Sequence, residues 1–238
     1  MTTESTIDAG TTLHPLDDPV RGSLRGAHRR FATWAGRIGR YDPEVAGFIG
    51  HPPVLSDQDW ADLATLLGPG GSAGLRGGDH APPPGWTVLD RLASVQMDGS
   101  ALRVADDPDL EVLTAADVPE ILALIARTQP GPYAPRTIEM GTYLGLRMDG
   151  RLIAMAGERL HPPGWTEISA VCTDAEFRGR GIGSRLVRAV GARIRARGET
   201  PFLHALARNT TAIGLYETLG FTLRQRSALT LVQAPARP

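Results

Sequence analysis

The sequence predicts an α/β protein whose functional half begins near residue 106. From there on, segments with strand and helix periodicity follow in the order strand, helix, three strands, helix, strand, helix, strand. The helical segments have one apolar stripe, and glycine or Asp-Gly stands at the expected ends and turns. We expect a loose polar lead-in over residues 1–19, an N-terminal α/β region over 20–105 and a domain that carries the candidate functional residues over 106–238.

The N-terminal region contains two predicted helices and two predicted strands. The first helix is expected over residues 20–36, where Leu24, Phe31 and Trp34 fall at helical spacing. The second follows Ser56, with Asp59 completing a capping box, and is expected to end at Gly68. Strands are predicted at 72–76 and 86–97, joined by a loop rich in Gly and Pro.

The second half starts with a predicted strand at 109–114, after which Thr114 caps a helix. Two apolar strands joined by Asp149-Gly150 predict a hairpin, and WTEISAVCT is the next strand. An amphipathic helix then ends at Gly198. A strand at 201–207, a helix over 210–219 and a last strand at 221–232 complete the expected order.

Composition limits the possible functions. Among 238 residues the formal net charge is -1, and all 25 basic residues are Arg, so the chain lacks the basic field that attracts nucleic acid. Cys172 has no partner for a disulfide, the first residues lack the blocks of a signal peptide, and no apolar run is long enough to span a bilayer. The histidines lack metal-ligand spacing. We therefore expect a cytoplasmic protein with no metal, no nucleic acid and no membrane partner.

The segment RGRGIG, residues 178–183, is the first candidate site. It lies between a predicted strand and a predicted helix, and its glycines leave the backbone open to a large anion. Free N-H groups at the start of a helix bind phosphate oxygens, and Arg178 and Arg180 could add charge-assisted hydrogen bonds. The spacing fits neither the dinucleotide-binding loop nor the NTPase loop. A plain structural turn is the alternative.

At these residues the chain resembles the GNAT acyltransferases. Their diphosphate loop follows the pattern Q/R-x-x-G-x-G/A, which Arg178, Gly181 and Gly183 match. Their other element is an Asn that begins a helix containing Ala and Tyr and ending in Gly-Phe. It is matched by Asn209, Ala212, Tyr216, Gly220 and Phe221.

The resemblance covers roughly residues 109–232. The segments EISAVCT and RTIEMGTYLG are most similar to the branch related to glycine N-acyltransferases. It implies the GNAT fold, a mixed twisted sheet flanked by helices, with residues 20–105 as a candidate degenerate half of the same fold.

The resemblance also implies an acetyl-CoA site. Backbone groups of Val171, Cys172 and Thr173 are expected along the pantetheine arm, and further contacts are expected from Asn209, Ala212 and Tyr216. The diphosphate is expected against the loop formed by Arg178, Gly179, Arg180, Gly181, Ile182, Gly183 and Ser184. From its position alone, Asn209 is also expected to cap its helix.

Acyl transfer to an amine requires a neutral nitrogen, so a proton acceptor is needed. Glu167 is the preferred general base, and alternation along the strand predicts that it shares a face with Ser169, Val171 and Thr173. Apolar neighbours would raise its pKa. The alternative is a strand glutamate that faces solvent or pairs with Arg, and Glu158 and Glu139 are the reserve bases.

Tyr216 is at the family position that protonates the departing thiolate, and the alternative is a tyrosine that packs on the sheet. Cys172 is interpreted as a small buried residue rather than a nucleophile.

The predicted function is transfer of an acetyl group from acetyl-CoA to a small-molecule or peptide amine. A non-catalytic acyl-CoA sensor or interaction module is the alternative. Monomer and homodimer stay open. Specificity is expected in the loops at 129–136 and 161–165.

Overall fold

The computed structural model describes residues 14–78 and 80–236, so most of the expected lead-in lies outside the described residues. Residues 15–17 form a short 3-10 helix with Leu16 buried. The N-terminal elements that follow are α1 (Pro19–Arg25), β1 (Ala32–Ala35), β2 (Ile38–Tyr41), β3 (Ile49–Gly50) and α2 (Asp57–Leu67).

The predicted helix over residues 20–36 is wrong beyond Arg25. The chain turns back there as a hairpin, in which Ala35 of β1 faces Ile38 of β2. Gly36 takes the positive φ of 51° that this tight reversal requires. Strand pairing and turn chemistry therefore overrode the helical spacing of the apolar residues.

The other elements agree with the predicted order. They are β4 (Ser72–Arg76), β5 (Thr87–Asp98), β6 (Glu111–Leu113), α3 (Val118–Thr128), β7 (Tyr143–Met148), β8 (Arg151–Glu158), β9 (Trp165–Thr173), α4 (Ile182–Ala196), β10 (Thr200–Leu206), α5 (Thr210–Leu219) and β11 (Thr222–Gln233).

Two predicted local signals are confirmed. The Ser56 hydroxyl and the Asp59 carboxylate form the capping box of α2. Asp149 and Gly150 both have positive φ, 50° and 78°, in the turn between β7 and β8.

Two sheets organise the described part of the chain. The first is a three-stranded sheet of β1, β2 and β3. The second has eight strands in the order β4, β11, β5, β10, β9, β8, β7, β6, and within it only β9 and β10 are parallel. This mixed sheet flanked by helices confirms the predicted fold class.

Strand β5 is antiparallel to both of its neighbours, β10 and β11. It belongs to the predicted N-terminal region, whereas both neighbours belong to the predicted catalytic domain. The sheet therefore combines strands from both sides of residue 105, and the domain division itself stays a prediction.

The two faces of the large sheet have different covers. One packs against α4 and α5, with Leu186, Val190 and Leu219 in the core. The other packs against α3 and the N-terminal elements, where Phe202 of β10 joins Phe31 and other N-terminal residues. We call these the helix face and the N-terminal face.

The loops that were expected to set specificity join the N-terminal elements to the sheet. Arg136 pairs with Asp42, at 2.7 Å, and the backbone N-H of His161 donates to the Ser23 hydroxyl at 2.8 Å. No helix in residues 14–78 and 80–236 is long and apolar enough to cross a membrane.

Candidate active site

The loop from Arg178 to Ser184 connects the end of β9 to α4. Gly179 and Gly181 have φ of 76° and 75°, and a Cβ at either position would meet open space. Gly181 is the N-terminal cap of α4 and supplies no side-chain acceptor. Within the described chain, none of the N-H groups from Gly179 to Ser184 donates to a protein acceptor. These amides, at the positive end of a helix, can bind an anion.

The two arginines of the loop are exposed. Arg178 Nε donates to the Thr173 carbonyl at 3.1 Å, and Arg180 Nη2 donates to the Glu176 carbonyl at 3.3 Å. Both side chains therefore lie close to the loop, where they could also contact phosphate oxygens.

The parallel strands β9 and β10 separate next to this loop. Their pairing ends where Phe202 faces Glu167, and beyond that point β10 pairs with β5 while β9 pairs with β8. A gap therefore opens between β9 and β10, and it connects the two faces of the sheet.

A bulge in β9 changes the predicted alternation. Cys172 faces Met155 but Ser169 faces Gly157, so β9 has one extra residue in this interval, and Ala170 has a φ of 53°. Ile168 and Val171 consequently pack on the helix face, whereas Ala170 and Cys172 pack beneath α3. The prediction that Glu167 and Val171 share a face is therefore wrong.

The predicted pantetheine strand ends at the mouth of the gap. The N-H of Asp174 donates to the Ile153 carbonyl of β8 at 2.8 Å, so the backbone groups of Thr173 point away from β8, toward the gap. The Cys172 thiol is buried, and burial raises its pKa. Cofactor contacts of Val171, Cys172 and Thr173 stay predictions.

Glu167 is fully buried on the N-terminal face. Its carboxylate accepts two hydrogen bonds from Arg159, at 2.7 and 2.8 Å, and one from His204 Nδ1 at 2.6 Å. Burial favours a higher pKa, but the charge and hydrogen bonds of Arg159, with those of His204, hold the pKa of Glu167 well below its usual range. The expected rise in pKa is therefore wrong, because an arginine rather than apolar neighbours surrounds this carboxylate.

His204 links Glu167 to β5. Its Nδ1-H donates to Glu167, and its Nε2 accepts from Gln96 Nε2 at 3.1 Å. Burial and the nearby Arg76 lower the pKa of His204 to about 4, which agrees with this neutral ring.

The reserve bases are also paired with arginines. Glu158 is buried and accepts from Arg197 Nη2 at 2.9 Å. Glu139 is bound by Arg136 at 2.6 Å, and hydrogen bonding to that guanidinium lowers the pKa of Glu139.

Tyr216 lies on the helix face, next to the Phe221 ring and largely buried. Burial raises its pKa to about 12. Its hydroxyl has no hydrogen-bond partner in the described chain. Glu167 and Tyr216 thus lie on opposite faces of the sheet, with the gap between β9 and β10 separating them.

Asn209 caps α5, as predicted, because its Oδ1 accepts from the N-H of Ala212 at 3.2 Å. Ala212 packs against the core of the helix face. The loop and α5 are adjacent, since a Cβ on Gly183 would lie 3.8 Å from Leu215 Cδ2.

Sequence reasoning missed Arg76, Arg159 and His204. His204 did give a signal, because it is the lone polar side chain in the apolar strand PFLHALA. Arg76 is remote in sequence from the predicted motifs, whereas Arg159 directly follows the reserve base Glu158 and is 8 residues from Glu167. The arrangement of strands in the sheet brings both near Glu167.

Buried histidines predict a pH-dependent stability. Burial lowers the pKa of His28, His51 and His204 to about 4, from 6.5. The stability that these neutral histidines contribute is fully present above pH 6.5. It is lost as the pH falls toward 4, because the unfolded chain then binds more protons than the folded chain. We expect each to cost roughly 1 kcal/mol of unfolding free energy at pH 5.5. Urea unfolding at pH 7.5 and 5.5 measures this, and equal stability at both would contradict it.

The chain is similar to known acetyltransferases. The family model described as FR47-like protein matches residues 143–229. The N-alpha-acetyltransferase RimI of Mycobacterium tuberculosis is 34% identical in an alignment of 120 residues that covers 46% of this chain and 75% of that protein.

Solved structures extend the similarity over most of the chain. A crystal structure from Novosphingobium aromaticivorans, described as a GNAT-family acetyltransferase, has a TM-score of 0.85 and 42% identity, with 92% of this chain and 98% of that one covered. A GCN5-related N-acetyltransferase from Kribbella flavida shares the fold, with a TM-score of 0.59, 18% identity, and 91% and 96% of the two chains covered.

Among the described residues, no group of three or more His, Cys, Asp or Glu is placed to hold a metal ion. With its free loop amides, its separated parallel strands and these relatives, the chain belongs to the GNAT superfamily of acyl-CoA-dependent N-acetyltransferases.

Proposed function

We propose that this chain transfers an acetyl group from acetyl-CoA directly to an amine that binds on the N-terminal face. The observation that supports this most strongly is the set of N-H groups from Gly179 to Ser184, which donate to no acceptor in the described chain and follow the strand that separates from β10. The similarity of EISAVCT and RTIEMGTYLG also favours the branch related to glycine N-acyltransferases.

The loop fits the diphosphate of coenzyme A. Side chains at Gly179 and Gly181 would project into the open space that phosphate oxygens need. The dipole of α4 adds positive potential, and Arg178 and Arg180 add cations. In this placement the pantetheine arm follows β9 past Thr173, while Asn209 and Ala212 at the start of α5 border it.

We assign the two proton transfers of the reaction to residues on opposite sides of the gap. The amine nitrogen attacks the thioester carbonyl carbon of acetyl-CoA. A carbon-nitrogen bond forms, the carbon-sulfur bond breaks, and CoA leaves as a thiolate. We assign the proton lost by the nitrogen to Glu167, which lies on the N-terminal face where the gap begins. We assign protonation of the thiolate to Tyr216 on the helix face, where its hydroxyl has no protein partner in the described chain.

The ion pair with Arg159 opposes the proposed role of Glu167, because a carboxylate with a low pKa holds a proton weakly. Negative charge on the bound acceptor would reduce this opposition by attracting Arg159. Glu167 is in any case ionised at neutral pH, so it can accept a hydrogen bond from the incoming amine.

Titration calorimetry with acetyl-CoA and with CoA tests the cofactor site. We expect binding by the natural chain and weaker binding, by about tenfold, in Gly181→Ala, since a Cβ enters the anion site and strains the positive φ. Gly150→Ala is the matched control. Gly150 also has a φ of 78° with nothing near its Cβ, and it lies in the hairpin turn between β7 and β8.

Both variants should lose similar stability, while only Gly181→Ala should lose affinity for CoA. Absence of binding by the natural chain at millimolar ligand would remove the proposal. Binding without release of free thiol, with any of a panel of amines, would favour the sensor alternative.

Replacement of Tyr216 by Phe should slow thiol release by about 10²-fold at saturating substrates, because the thiolate loses its proton donor. Affinity for CoA should hardly change, since the ring still packs against Phe221. An unchanged rate would show that Tyr216 only packs on the sheet.

A further inference from the structure

Arg76, at the end of β4, is a cation without a partner. Its Nη1 is shielded from solvent and has no hydrogen-bond partner, and the guanidinium forms no ion pair with any carboxylate of the described residues. Burial, with the charge of Arg159, lowers the pKa of Arg76 to about 10, so it is still charged at neutral pH. The residue as a whole is half-buried, but a shielded guanidinium nitrogen without a hydrogen-bond partner is unfavourable, which suggests that a ligand completes this site.

The strand register places Arg76 on the N-terminal face. Arg76 faces Leu229 of β11, and Leu229 faces Leu92 of β5. Gln96 is four residues beyond Leu92 in the same strand, so both side chains point to one face. Gln96 in turn faces His204 of β10. Arg76 therefore shares a face with His204, and it is near enough to lower the pKa of that ring.

Two histidines bind the backbone of Arg76. Its N-H donates to His51 Nε2 and its carbonyl accepts from His80 Nε2, both at 3.2 Å. The His51 Nδ1-H donates to the Pro52 carbonyl at 2.8 Å, so the ring is neutral with Nε2 free to accept. Arg76 is thus anchored by a structural histidine pair and not by a carboxylate.

The charges on this face do not balance. Arg159 and Glu167 neutralise each other, and His204 is neutral, so Arg76 leaves one positive charge in excess. The nearby Glu158 is already paired with Arg197. An anion bound beside Arg76 would restore neutrality.

A second polar atom on this face also has no partner. The Tyr143 hydroxyl is buried and unbonded. Its ring lies across Gly157, whose Cβ would be 2.1 Å from Tyr143 Cδ1, and it extends toward β9. The charges of Arg159 and Glu167 act on this phenol, so it belongs to the same polar region.

The three-stranded sheet covers this region. Phe48, between β2 and β3, forms a bridge to Gly74 of β4, and its ring lies 4.9 Å from the Arg159 guanidinium. Arg76 and Arg159 therefore lie beside the three-stranded sheet, whereas Tyr143 packs beneath α3.

We propose that the amine acceptor has an anionic group, a carboxylate or a phosphate, and that Arg76 binds it while the amine lies beside Glu167 at the gap. This rests on the proposed acetyl transfer. It makes Arg76 a specificity residue contributed by the N-terminal region. The Tyr143 hydroxyl, which lies on the other side of Glu167 in the sheet order, is not needed for this contact.

Matched acceptors test this proposal. Amino acids are compared with their amides, and aminoalkyl phosphates with the corresponding amino alcohols, by thiol release with acetyl-CoA. We expect the natural chain to favour the acidic member of at least one pair by about 10²-fold in kcat/KM. The pair that shows the preference distinguishes carboxylate from phosphate.

Arg76→Met should remove that preference, mainly through KM, and should leave affinity for acetyl-CoA unchanged. Its Tm should be unchanged or higher, since an unpaired charge is replaced by an apolar side chain. Arg193→Met, at an exposed position of α4, is the control and should keep the preference. A preference that survives in Arg76→Met, or equal use of acidic and neutral acceptors, would overturn the proposal.

If acetyl-CoA binds but no acceptor in the panel reacts, thermal shift decides. The acidic members of the panel should raise the Tm of the natural chain, and their neutral counterparts should not. Neither kind of compound should raise the Tm of Arg76→Met. Absence of that shift overturns the anion site alone, whereas absence of acetyl-CoA binding overturns the proposed function.

Discussion

A chain that begins at residue 106 should neither fold cooperatively nor bind acetyl-CoA. It lacks β5, which separates β10 from β11 and is hydrogen-bonded to both. It also lacks Val95, Met97 and Leu102, which are buried in the core against α4 and α5. Each large apolar deletion costs about 2 to 5 kcal/mol, so loss of these three side chains should cost about 6 to 15 kcal/mol, which is as large as the usual stability of a domain, about 5 to 15 kcal/mol.

Circular dichroism during urea unfolding and calorimetry with acetyl-CoA measure both effects, with the full chain as reference. Addition of a separate fragment of residues 1–105 should restore binding if β5 can insert between its neighbours. A cooperative transition and normal affinity in residues 106–238 alone would contradict the expectation, and would support a domain boundary near residue 105.

Replacement of Glu167 by Gln should lower both stability and rate. Arg159 would then be a buried cation without an anion, which costs about 3 to 5 kcal/mol and lowers the Tm by about 10 °C. If Glu167 accepts the proton of the amine, kcat should also fall by about 10² to 10⁴. Because a damaged fold could itself reduce the rate, this variant alone cannot assign the role.

The double variant Glu167→Gln with Arg159→Met separates the two effects. It removes both charges of the pair, so most of the lost Tm should return. The rate should stay low if Glu167 is the base, and CoA affinity should be normal because the loop is on the other side of the gap. Recovery of both Tm and kcat would restrict Glu167 to holding Arg159 and His204.

Local signals in the sequence were sufficient for several elements of the second half of the chain. The Asp149-Gly150 turn, the Asn209 cap and the glycines of the loop each depend on a few neighbouring residues, and all were found in the expected local structure. The first helix was mispredicted because its apolar spacing is local, whereas the pairing of β1 with β2 depends on a turn and on the sheet.

The environment of Glu167 could not be predicted in the same way. Its pKa depends on Arg159 and His204, and their positions follow from strand register and from which face each residue occupies. The bulge at Ala170 lies beyond this pairing and moves Val171 to the opposite face from Glu167, and no residue type in EISAVCT indicates it. The pairing with Arg had been the alternative interpretation of this glutamate.

The position of β5 has a consequence for synthesis on the ribosome. Its two neighbours in the sheet are β10 and β11. Val95 of β5, for example, cannot form its strand pairs until Ala205 and Arg226 have been synthesised. Contacts this distant in sequence form slowly, and the unpaired strand edge is exposed in the meantime. The nascent chain therefore has to avoid aggregation until residues 222–233 have left the exit tunnel, and chaperone binding during this interval should focus on residues 87–98.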